Sequence, residues 1–274
     1  MQTNSAVLYS NQLNHTRIFL ILFCVTLATQ ILFSFAKQLR YFKTEPARIY
    51  GPPPRLLGRF SLPSLTVPHF ALLGIVLSLS LLAAALNFAP RVFLLLALAS
   101  YFLYFNPIIS LAFVQRKTNL VPIVLLSLLF APAISQPLGQ PAPVWPLILI
   151  KLAIAQMYLS AGIQKLRRAG LGWCNGRSLR AYLVEHYLWG DTARALMLAR
   201  HPRTCMVLSA LLLIFELTFW VILLYPQLAL PYVITGVAFH LGTALTMRIN
   251  YLKYLSPIYL VFLGDIAAQL KISS

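Results

Sequence analysis

The chain has 274 residues, 59% of them apolar and only 10% charged, with a mean hydropathy of +0.78. An ordinary soluble domain is about 25% charged, so this one has too little polar surface to cover a soluble core. Soluble enzymes, collagen, disordered tails and disulfide-stapled secreted domains are excluded, and lipid is the expected solvent. The charge is lopsided, with 22 Lys and Arg against 5 Asp and Glu. Because these cations fall between apolar runs and not on an amphipathic face, they indicate membrane topology; no nucleic-acid partner is expected.

In chain order, eight apolar segments approach the roughly 20 residues that a helix needs to cross a bilayer. They are Ile18–Ala36, Leu65–Phe88, Val92–Val114, Leu120–Ile134, Val144–Lys165, Met206–Tyr225, Leu228–Met247 and Tyr251–Leu270. Their apolar runs are continuous and lack the alternation of barrel strands. The fold class expected is therefore an all-α polytopic membrane bundle of about eight spans. It forms a single transmembrane domain over residues 1–274, with no separate soluble domain. The first segment resembles a signal peptide at Ser34-Phe35-Ala36, but its cations follow the apolar run, so it is read as a retained span. The fourth is short and carries Pro122 and Pro132, which predicts a kinked, tilted or re-entrant helix. Gly51-Pro52-Pro53-Pro54 reads as a stiff turn in the first connection.

Cation placement supports this count. The first, third, fifth and seventh connections carry 18 of the 22 Lys and Arg. The even connections and both tails carry three, and Lys151, inside the fifth span, is the last. Such alternation is what the positive-inside rule produces for eight spans with both termini outside. Residues 166–205 form the one sizeable segment off the membrane, a basic interfacial connection. Ser178 is placed to cap a helix bearing Leu179, Tyr182, Leu183 and Tyr187, and Asp191 a second bearing Ala195, Leu196 and Leu198. Short basic helices with aromatic residues between spans lie in the headgroup layer.

Ionisable residues inside lipid mark function or a structural partner. Lys151, Glu216 and His240 fall within spans, and Lys165 ends the fifth. Lys151 lies roughly 10 Å below the outer edge at 1.5 Å per residue. Lys151, Ala155, Tyr158, Gly162 and Lys165 recur at spacings that keep them on one helix face. Two readings of that stripe stand together. It lines a polar cavity, or Lys151 pairs with Glu216 while Lys165 snorkels to the headgroups. Glu216 is protonated or paired with a buried cation or His240, and His240 lines the site or bonds a neighbouring helix. A lysine in an apolar site can act as a neutral base. Cys24, Cys174 and Cys205 have no metal spacing, a Cys174–Cys205 bridge remains open, and no metal is assigned.

The run Tyr158-Leu-Ser-Ala-Gly162-Ile-Gln-Lys165-Leu166, followed by Trp173-Cys-Asn-Gly176-Arg-Ser-Leu179, resembles a segment of the HTTM (horizontally transferred transmembrane) and vitamin K-dependent γ-carboxylase superfamily. Glu216 in Ile-Phe-Glu-Leu, then Phe239-His240 and Arg248-Ile249-Asn250-Tyr251, follow in the matching order, and the resemblance covers roughly residues 144–263. In the carboxylase the motif lysine deprotonates reduced vitamin K. Oxygen converts the resulting anion to a stronger base that removes a γ-proton from glutamate, and CO₂ adds. The resemblance implies Lys165 as base with His240 and Glu216 as catalytic partners. It also implies a quinone site at Lys151, Tyr158, Gly162, Trp173 and Asn250, a reduced vitamin K-like quinone as cofactor, and a peptide or protein substrate. The chain departs from the carboxylase in three ways. Gln164 stands where that enzyme has a second lysine, Lys117-Thr-Asn-Leu-Val lacks its histidine, and its large luminal C-terminal domain has no counterpart here. The basic 166–205 connection also points to the cytoplasmic side, whereas the carboxylase works on the luminal side. A non-catalytic membrane partner in maturation, export or immunity of a secreted peptide is the alternative. The bacterial cell membrane is the expected location in either case.

Overall fold

The computed structural model describes residues 3–44, 67–111, 120–131, 145–188 and 193–272, all helix or short turn, with no strand among them. The chain is an all-α, polytopic integral membrane protein. Five helical segments are long and apolar enough to cross a membrane: His15–Phe35, Val67–Ala85, Trp145–Asn175, Pro202–Leu223 and Pro226–Met247. Shorter apolar helices occupy Pro90–Phe105, Leu120–Leu129 and Leu255–Leu270. These eight pieces fall on the eight apolar segments of the sequence.

The chain divides into two compact units, residues 1–150 and 151–274. In the first, helices α1 (Thr3–Thr44), α2 (Val67–Ala85), α3 (Pro90–Leu111) and α4 (Leu120–Leu129) pack in succession, each on the next. The α2–α3 turn follows from its residues. Asn87 takes a left-handed conformation at φ 64°, while Phe88 N–H bonds Ala83 O at 2.9 Å and Asn87 N–H bonds Ala84 O at 3.1 Å. This Schellman arrangement satisfies the last carbonyls of α2, and asparagine tolerates the φ that it requires. Phe23, Leu27, Leu77, Leu81 and Leu125 are buried, and Phe70 stacks on Tyr104 with ring centres 4.5 Å apart. Among the described residues helix α4 covers Leu120–Leu129, with Pro122 in its first turn. Pro132, the Gly51–Pro54 turn and the cations of the third connection lie outside the described residues.

The second unit takes in most of α5 (Trp145–Ala169), then α6 (Arg177–Leu188), α7 (Ala193–Ala199), α8 (Pro202–Thr218), α9 (Ala229–Met247), α10 (Leu252–Tyr259) and α11 (Leu263–Ile272). Short 3₁₀ turns at Gly170–Asn175, Phe219–Leu223, Pro226–Leu228 and Leu260–Phe262 connect or extend them. The packing pattern is that of a protein in lipid: Leu211, Ile214, Ile234 and Leu245 face outward, while Ser209, Glu216 and His240 are buried. In water such a distribution would be unfavourable at both surfaces. Off the spans, Leu183, Ala195, Ala199, Cys205 and Met247 form a small core that seats α6 and α7.

The start of α6 differs from the expectation. Gly176 adopts φ 76°, and the Arg177 N–H donates to Asn175 Oδ1 at 2.8 Å, so Asn175 caps the helix in place of Ser178. The helix starts ahead of Ser178 because the left-handed glycine reverses the chain two residues before it. A side chain on Gly176 would also lie 2.5 Å from the Met206 nitrogen. Asp191, the expected second cap, lies outside the described residues. Cys174 and Cys205 are free thiols, and Cys205 Sγ donates to Leu198 O at 3.4 Å.

Candidate functional site

One face of α5 carries three polar clusters at seven-residue spacing, so each lies about 10 Å from the next along the axis. The face follows from the sequence period: Ala155, Tyr158 and Gly162 are buried, while Ile148, Leu152 and Ile163 point outward.

At the first cluster, Lys151 Nζ donates to both carboxylate oxygens of Asp265 on α11, at 2.9 and 2.7 Å. The ammonium also lies 5.8 Å from the centre of the Phe262 ring. The expected pairing of Lys151 with Glu216 is therefore corrected. About four turns of α5 nearer its C-terminus, Glu216 meets Lys165 instead, and α11, which follows the Pro257-bearing α10, brings Asp265 to Lys151.

The second cluster is centred on the Tyr158 hydroxyl, which meets His240 Nε2 at 2.7 Å and is hydrogen-bonded to the hydroxyl of Tyr259 on α10. All three side chains are buried. The single Tyr158 proton goes to one neighbour, so the hydroxyl must accept from the other. Phe215 and Phe219 wall this group, with ring centres 5.0 and 4.5 Å from that of Tyr158. Space for Tyr259 comes from Gly236, where a Cβ would lie 2.5 Å from the tyrosine oxygen and 3.3 Å from Phe215. The Tyr251 ring centre lies 5.3 Å from that of His240.

The third cluster pairs Lys165 with Glu216 on α8. The amine contacts both carboxylate oxygens, and the two side chains are 19% and 5% exposed. Lys165 is thus held by a carboxylate, and the snorkelling reading is set aside. Gly162, one turn earlier, permits this approach: a Cβ there would lie 2.9 Å from Leu217 and 3.2 Å from the Glu216 Cβ. Trp173, in the 3₁₀ turn after α5, places its ring centre 5.5 Å from the Lys165 ammonium, within cation–π reach. Its indole N–H is buried and has no hydrogen-bond partner among the described residues.

Lys165, Glu216, Gly162 and Trp173 therefore come together, as do Tyr158 and His240. Lys151 sits apart with Asp265, and Asn250 is exposed in the non-helical segment after α9. Sequence reasoning missed Tyr259, Tyr251 and Asp265. Asp265 carried a usable signal, being the other acidic residue inside an expected span, and Tyr251 closes the Arg248–Tyr251 run of the resemblance; Tyr259 carried none, because aromatic residues recur throughout the chain. No group of three or more His, Cys, Asp or Glu able to hold a metal occurs among the described residues.

No curated protein and no solved structure matches the chain. Residues 72–264, well over half its length and including all three clusters except Asp265, match the family model of the HTTM domain. An all-helical membrane chain with that match belongs to the HTTM domain family.

Proposed function

We propose that this HTTM protein is a membrane enzyme, in the bacterial cell membrane, of quinol-dependent, carboxylase-like chemistry with Lys165 as the base. The observation that carries the proposal is the Lys165–Glu216 pair at the end of a membrane-spanning helix, beneath Trp173. In a low-dielectric site an ammonium–carboxylate pair can become amine and carboxylic acid by moving one proton between its members. Glu216 then holds the proton, and Lys165 presents a neutral amine.

The residues fit a quinol. The Trp173 indole N–H, without a partner among the described residues, suits an oxygen on a ring-bearing ligand, since buried donors call for acceptors. A bound quinol supplies an acidic hydroxyl and two-electron redox chemistry. Lys165 would take the hydroxyl proton, Glu216 would keep its own so that the new ammonium faces the deprotonated oxygen, and Trp173 would orient that oxygen. His240, hydrogen-bonded to Tyr158 and with the Tyr251 ring beside it, belongs to the neighbouring buried cluster.

The test is purified protein in nanodiscs, supplied with reduced vitamin K, bicarbonate and a glutamate-bearing peptide, with quinol oxidation followed by absorbance and CO₂ incorporation by label. Turnover that disappears in Lys165→Ala, with helicity and monodispersity unchanged, supports the reading. Turnover that survives Lys165→Ala overturns it. A second reading is favoured by the complete pairing of the Lys165 amine and by the exposed arginines of α6 and α7. In it the protein is a non-catalytic partner in maturation, export or immunity of a secreted peptide. Lys165→Ala then keeps function in cells, while substitutions across the 166–205 surface remove it.

A further inference from the structure

The α6 helix has two faces with different tasks. Leu179 and Leu183 point into the small core formed with Ala195, Ala199, Cys205 and Met247, which seats the helix against α7, the start of α8 and the end of α9. Its outer side forms a groove of about 520 Å³ lined by Arg177, Arg180, Ala181, Val184, Glu185 and Leu188. These positions recur at helical spacing along nearly the whole helix. All six are exposed, Leu188 at 75%.

The chemistry of the groove is ordered along its length. The two arginines stand in the first turn, and Ala181, Val184 and Leu188 form an apolar strip beyond them. The Arg180 Nε–H donates to Ala199 O at 2.9 Å, which fixes the guanidinium plane. Its terminal nitrogens make no hydrogen bond among the described residues, and a guanidinium held this way suits phosphate oxygens. Two arginines against Glu185 leave one net positive charge, which matches a single phosphodiester. A cationic end followed by an apolar strip, at the edge of two membrane spans, has the polarity of a phospholipid.

We infer that the α6 groove is a binding site for an anionic phospholipid, its phosphate on Arg177 and Arg180 and an acyl chain along Ala181, Val184 and Leu188. The site does not depend on the chemistry assigned to Lys165. It gives the basic connection a specific ligand and ties the α6–α7 layer, and through Cys205 the start of α8, to the lipid surface.

The experiment titrates delipidated full-length protein in detergent with phosphatidylglycerol or phosphatidylcholine and counts bound lipid by native mass spectrometry. Phosphatidylglycerol should bind in preference, and the double variant Arg177→Gln/Arg180→Gln should weaken it about ten- to thirtyfold, at about 1 kcal/mol per surface arginine. Arg167→Gln/Arg168→Gln removes the same charge outside the groove and should leave binding unchanged. Val184→Trp fills the groove at constant charge and should weaken binding like the arginine pair. Equal loss in the two arginine variants overturns the proposal in favour of diffuse charge. Unaltered binding in Val184→Trp, or displacement of the lipid by inorganic phosphate alone, overturns it as well.

Discussion

Lys165→Ala removes the cation that faces the carboxylate of Glu216, whose side chain is 5% exposed. At about 4 Å and an effective dielectric near 20, the attraction lost is roughly 4 kcal/mol. Removing one member of a buried pair typically costs about 3–5 kcal/mol, because the remaining charge has lost its partner and cannot regain water. Protonation of Glu216 limits that loss, so about 3 kcal/mol is expected at neutral pH. Glu216→Leu should cost about the same, since it leaves the ammonium beside Trp173 without its counter-charge. The double variant Lys165→Met/Glu216→Leu replaces both groups with apolar volume and should return to within about 1 kcal/mol of the parent. The cycle then yields a coupling of at least about 2 kcal/mol. Reversible unfolding in mixed detergent micelles measures all four states. Single variants within about 0.5 kcal/mol of the parent, with strictly additive effects, would refute the buried-pair argument. The double variant also separates stability from chemistry, because it should fold well and lack quinol turnover.

Tyr158→Phe removes the hydroxyl that joins His240 and Tyr259, leaving two buried polar partners unmet, and should destabilise by about 2–3 kcal/mol in the same unfolding assay. Tyr259→Phe keeps the Tyr158–His240 contact and should cost about half as much. Gly236→Ala places a methyl group against the Tyr259 hydroxyl and should lower stability by about 1–3 kcal/mol; Gly236→Ala in a Tyr259→Phe background should lose less, the clash with the oxygen having gone. Lys151→Ala should cost at most about 1 kcal/mol, because Lys151 and Asp265 are each about one-fifth exposed and so partly solvated. In intact protein, maleimide should label Cys174 readily and leave buried Cys24 and Cys205 until unfolding, with no effect of prior reduction.

Much of the fold was legible in the residues themselves. Span positions follow from hydrophobic length, which depends only on local composition and bilayer thickness. Each of the eight apolar segments contains a helix for that reason. The shared face of Lys151, Tyr158 and Lys165 follows from helix period alone. The residues on the far side of each contact did not follow. Whether Glu216 meets Lys151 or Lys165 depends on the vertical register of α8 against α5, and Gly162 sets it by close approach. The cap of α6 was misplaced because Asn175 and Ser178 are both good capping residues, and only the left-handed turn at Gly176 selects between them.

Composition, the spacing of apolar runs and the alternation of cations were enough to define a multi-pass helical protein, because the free energy of a segment in lipid is close to a sum over its own residues. The tertiary structure alone determined which buried polar groups meet: Lys165 with Glu216, Lys151 with Asp265, and Tyr158 with His240 and Tyr259. These contacts join residues 51 to 114 positions apart, and no local rule sets the depth at which two neighbouring helices stop sliding. That depth is decided by side-chain packing and by the need of each desolvated polar group for a partner.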